Sequence, residues 1–123
     1  MGQTTFMRAK TGIVDAEKLI GCKVENLQGE SLGKIETLIV DLREGRVTAA
    51  ILSFGGFLGL GEKLYPVPLG SITFKPEDER CVMDMDKEAL KRAPAYSRGE
   101  WPDWSDREWI GRVYQHYNAT PYW

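Results

Sequence analysis

Few side chains in this chain are placed to do chemistry, and their spacing argues against most of the chemistry they suggest. The run Gly55-Gly56-Phe57-Leu58-Gly59-Leu60-Gly61 places four glycines in seven residues, the pattern of a backbone able to wrap a phosphate. A G-x-x-x-x-G phosphate loop needs lysine after Gly61, and Glu62 stands there; Lys63, one place late, is followed by Leu64 instead of serine or threonine. A carboxylate at that point repels phosphate. A dinucleotide fingerprint fails as well, because Leu64 occupies the third glycine position and a proline-bearing strand follows where a helix is required.

His116 is the only histidine, so a Ser-His-Asp relay or a histidine metal cluster would have to be built around one residue; a helix-surface role is expected instead. Cys22 and Cys81 stand 59 positions apart with no C-x-x-C spacing, which predicts buried, reduced thiols. The carboxylates Glu36, Asp41, Glu62, Asp84 and Asp86 suit strand ends and helix caps, and nothing in their spacing singles out an acid/base pair. No catalytic residue, cofactor or metal is expected, and the chain does not read as an enzyme.

At 123 residues the chain fits one domain, able to bury a core without staples. Its net charge of -2 lacks the basic excess that nucleic-acid binding needs. The longest apolar run falls well short of the roughly 18 residues that cross a bilayer, and no secretory signal is evident, so a soluble, cytoplasmic protein is expected.

The elements follow from pattern. Residues 1–14 read as a flexible leader. Asp15 caps a short helix closed by Gly21. Period-2 patterning then begins: 23–26, a turn at Gln28-Gly29-Glu30, and two long strands, 33–42 and 47–54, forming a hairpin. In the first, Ile35, Thr37 and Ile39 are expected on one face and Leu38, Val40 and Leu42 on the other. In the second, Val47, Ala49 and Ile51 oppose Ala50, Leu52 and Phe54. A sheet apolar on both faces needs two covers, the inside of a barrel and something outside it. Short strands at 64–67, 72–75 and 80–85 bring the count to about six, with Pro66 and Pro68 confining one to an edge or corner. This density of short strands predicts an all-β fold, a small antiparallel barrel, over residues 15–86.

Residues 87–123 form an extension of different composition. A short helix follows Asp86, and Ser105-Asp106-Arg107-Glu108 fits a capping box before a second helix with Trp109, Ile110, Val113, Tyr114 and Tyr117 on one face. Eight of the thirteen aromatics lie in the last 28 residues, a composition built to dock on the barrel or on a second subunit. Mixed charges around them, Glu100, Asp103, Asp106 and Glu108 beside Arg98, Arg107 and Arg112, leave no basic track for a nucleic-acid strand.

Several motifs taken together carry a family resemblance: Asp15-Ala-Glu-Lys-Leu-Ile-Gly21, Gly29-Glu30 followed by Leu32-Gly33-Lys34-Ile35, Val40-Asp41, Ala50-Ile51-Leu52-Ser53, and the segment Gly55 to Pro68. They resemble the PRC-barrel family, whose domain is shared with the photosynthetic reaction-centre H subunit and the ribosome-maturation protein RimM. The resemblance implies a compact antiparallel barrel used as a protein-interaction module, with no catalytic residues to carry over. A homodimer is expected, with an unidentified protein partner as the other possibility, and Phe57, Leu58, Leu60, Tyr65, Trp101, Trp104, Trp109 and Tyr114 as the interaction residues. The alternatives are a barrel for a small hydrophobic ligand, with the apolar loop and Tyr65 at its mouth, and a ribosome- or RNA-maturation factor by analogy with RimM.

Overall fold

The computed structural model describes residues 12–55 and 62–123. Helix α1 (Ala16–Leu19) leads into strands β1 (Lys23–Glu25), β2 (Ser31–Asp41), β3 (Arg46–Phe54) and β4 (Lys63–Val67). A 3-10 turn (Leu69–Ser71), β5 (Thr73–Lys75), β6 (Arg80–Val82), α2 (Lys87–Lys91), β7 (Tyr96–Ser97) and α3 (Arg107–His116) follow. All seven strands join one sheet in the order β5-β6-β1-β2-β3-β4-β7.

Three expectations are corrected. The sheet has seven strands, because Tyr96–Ser97 adds an edge strand to β4 from within the extension. Among the described residues it ends at β5 and β7 with no ladder joining them, so their hydrogen bonds do not close the sheet into a barrel. It is also not wholly antiparallel: β1 and β6 pair in parallel, through Val24 with Cys81 and Glu25 with Val82. Strands so distant in sequence are joined by a long crossover, which frees their direction from the hairpin constraint. Pro66 lies opposite Ile51, beyond Leu64, where pairing with β7 stops, so its missing N–H faces no ladder on that side.

The sheet is apolar on both faces across its centre. On one face Val24, Leu32, Ile35, Ala50, Leu52, Tyr65, Val67, Cys81 and Met83 form the larger core, closed by Leu19 of α1 and Leu90 of α2. On the other, Ala49, Ile51 and Leu64 pack with Ile39, Tyr96 and Trp104. The alternation expected in β3 holds from Ala49 to Phe54; Val47 lies beyond the irregularity at Thr48 and joins neither cluster. That expected in β2 does not hold, because a bulge between Ile35 and Thr37 shifts the parity: Ile35 and Leu38 share the larger core, while Ile39 faces the other way. Leu42 falls in the hairpin turn, 90 % exposed.

Two motif positions have steric or polar reasons. Gly33 has φ +96°, and a Cβ there would stand 2.1 Å from the Ser53 carbonyl oxygen, so only glycine lets β2 pass β3. The buried Asn26 accepts from the N–H groups of Gln28 and Glu30 at 3.0 and 2.9 Å and donates to the Glu30 carboxylate, which shapes the Gly29-Glu30 turn. Asp15, Asp86 and Asp106 each cap a helix through a side-chain oxygen. For α3 the cap is Asp106, not the Ser105 of a capping box; Ser105 turns back to donate to Asp103 at 2.6 Å.

Candidate functional site

The extension is held to the sheet at an irregular point in β3. Ile39 pairs with Ala49 and Val40 with Val47, which leaves Thr48 without a partner on β2. Its carbonyl is taken by the Tyr114 hydroxyl, which donates at 2.8 Å. Tyr122 donates to the Asp41 carboxylate at 2.6 Å and accepts from the Thr48 hydroxyl at 3.0 Å. The Tyr122 hydrogen bond, with backbone N–H groups of the turn, holds the Asp41 carboxyl below its ordinary range. Two tyrosines of the extension thus converge on one bulged residue.

A second attachment is charged. Arg98, in the turn after β7, reaches Glu36 of β2 at 2.9 Å and Glu62 before β4 at 2.5 Å. Its hydrogen bonds keep Glu36 ionised to lower pH, and the two carboxylates push the guanidinium further up. Glu62, where a phosphate loop would carry lysine, is half of this fork. No pattern in the sequence pairs it with a residue 36 positions on. His116 donates from Nε2 to the Ala89 carbonyl at 2.8 Å and ties α3 to α2. Cys22 and Cys81 are buried, unbridged thiols, with Cys22 donating to the Glu79 carbonyl and burial pushing Cys81 up.

The residues expected to make contacts have different fates. Phe57, Leu58 and Leu60 lie outside the described residues. Tyr65, 6 % exposed, points into the larger core and meets Phe54 edge-on at 6.3 Å. Its place in the register, opposite Leu52, puts it on the core face of the sheet. Tyr114, also 6 % exposed, packs with Ile110 and Val113 and serves as an anchor within the chain. Trp104 is half-buried over Ala49, Ile51 and Leu64.

Around Trp104 three rings meet edge-to-face: Tyr96 at 5.9 Å, Trp101 at 5.8 Å and Trp109 at 5.5 Å. Trp109 is half-buried, but Trp101 stands 75 % exposed. Beside it lies a notch of about 340 Å³ lined by Tyr96, Trp101, Pro102 and Trp109 with Glu100 and Asp103. Asp103 is held below its ordinary carboxyl range by the hydroxyl and N–H of Ser105. The sequence flagged the aromatics by their density; which of them stays outside depends on docking. A broader groove runs elsewhere, between the start of β3, the 3-10 turn, α1 and residues 117–122.

Among the described residues no group of three or more His, Cys, Asp or Glu is placed to hold a metal ion, and no helix is long and apolar enough to cross a membrane. Comparison with curated proteins found no match. The family model for the PRC-barrel domain matches residues 12–90, which spans α1, the strands β1 to β6 and the start of α2. That match covers more than half of the chain, and the chain belongs to the PRC-barrel family.

Proposed function

We propose that this protein is a non-enzymatic interaction module that associates with a second copy of itself, using the aromatic end of its extension as a contact surface. The observation that supports it is Trp101. A tryptophan 75 % exposed yet fixed edge-to-face on Trp104 presents a rigid apolar surface whose ordering entropy is already spent, which is the character of an interface anchor. The centre of each sheet face is covered by α1, α2 or the extension, and Trp101 is among the most exposed large apolar side chains outside it.

Light scattering at tens of micromolar is the test. A dimer is expected, with Trp101→Glu shifting it to monomer while the far-UV circular dichroism is unchanged. A monomeric wild-type chain refutes the reading. Leu58→Asp provides a separate arm for the contact role expected of Phe57, Leu58 and Leu60: association unchanged in that variant removes the loop from the interface.

A further inference from the structure

The aromatic rings of the extension are not treated alike. Arg46 lies over the Tyr122 ring at 4.9 Å from its centroid, and Arg107 lies over Trp123 at 4.6 Å. Trp101 is more exposed than Trp123, and among the described residues no cation of the chain lies over it. Its neighbours are carboxylates. Glu100 is fixed by the Ser97 N–H at 2.7 Å, and Asp103 by the Ser105 N–H at 3.1 Å and hydroxyl at 2.6 Å. Each contact uses one carboxylate oxygen, and neither residue joins an ion pair among the described residues. Arg98, the nearest guanidinium in sequence, is committed to Glu36 and Glu62.

The notch therefore combines aromatic rings with fixed negative charge that no described residue of the chain neutralises. An anion is repelled there, and a neutral apolar group would gain contact with the rings but strip water from two carboxylates without offsetting their charge. A positive organic group gains from both components, since ring faces attract cations and an alkylated or delocalised cation is cheaply desolvated. Resting on the reading of Trp101 as a contact residue, we infer that the notch beside Trp101 and Trp109 seats an organic cation, presented by the partner as a basic side chain.

The test uses free cations on the full chain, diluted to where light scattering finds it monomeric, so that no partner side chain fills the notch. Four indole N–H signals are available by ¹⁵N-correlated NMR. Tetramethylammonium and methylguanidinium chloride are titrated at constant ionic strength, with neopentyl alcohol as the neutral match. Saturable shifts at Trp101 and Trp109 with a millimolar midpoint are expected for at least one cation, about tenfold stronger than for the alcohol. Trp101→Ala removes them, and combining Glu100→Gln with Asp103→Asn weakens them about fivefold. Equal response to the alcohol, shifts that do not saturate, or a double variant that binds unchanged overturns the inference. Light scattering of the undiluted chain at tens of micromolar separates the two ideas. A monomeric wild type removes the self-association reading without touching the titration, and a failed titration leaves the oligomeric state as measured.

Discussion

Two tyrosines three residues apart, in and just after α3, should respond in opposite directions to the same substitution. Tyr114 and Tyr117 both have inaccessible hydroxyl surroundings, but the Tyr114 hydroxyl donates to Thr48 at 2.8 Å, and that of Tyr117 is buried with no partner among the described residues. Burial pushes the Tyr117 phenol well above its usual range. Phenylalanine keeps the ring in both cases, so packing changes little and the hydroxyl is isolated. Removing an unpaired buried hydroxyl recovers part of its desolvation cost, and Tyr117→Phe should stabilise by about 1 kcal/mol. Tyr114→Phe loses a bond and orphans a bulge carbonyl, and should cost about 1.5 kcal/mol. The two variants then differ by about 2.5 kcal/mol, on the order of 8 °C in melting temperature for a domain of this size. Urea unfolding is the assay, comparing midpoints at constant slope. Tyr117→Phe destabilised as much as Tyr114→Phe would show that the Tyr117 hydroxyl has a partner, such as an internal water, and refute the reasoning.

Gly33→Ala is expected to cost about 3 kcal/mol or more, since its Cβ would meet the Ser53 carbonyl and the residue holds a positive φ; a urea midpoint within experimental error of wild type would contradict this. Glu36 has a folded-state pKa below its unfolded value, so its contribution is present at neutral pH and is lost as pH falls below about 4.3 through the folded value. Glu36→Gln should therefore lower stability at pH 7 and flatten the acid limb, and a thermal-melt series from pH 7 to roughly 3 that parallels wild type would count against the Arg98 fork.

Much of the fold was legible where chemistry is local. Asp15 and Asp86 announced helix starts, Gly29-Glu30 a turn, and alternation in 47–54 the two-faced strand. What escaped was set by distant partners. The bulges in the β2–β3 pairing exchange the faces of Ile39 and Leu38 without any local signal, because an extra residue in a ladder is an agreement between two strands. The parallel pairing of β1 with β6 and the addition of Tyr96–Ser97 to β4 are long-range for the same reason. At the candidate site, aromatic density marked the region. Trp101 and Trp104 are the same residue type three positions apart, and only the docked geometry leaves one outside and covers the other.

The bulge at Thr48 also orders events in time. Its free carbonyl exists only after β2 and β3 have paired with the register slipped by one residue, so the unfolded chain has no anchor for Tyr114 or Tyr122. The hairpin must form first and the extension closes onto it afterwards, a late step that joins residues 66 and 74 positions apart. In the native state the reverse order is expected: the segment after α2 should open as a unit before the hairpin does. Slow hydrogen exchange in β2 and β3 and faster exchange in α3 would be the signature, and any event that corrects the register at Thr48 would release the aromatic surface at the same moment.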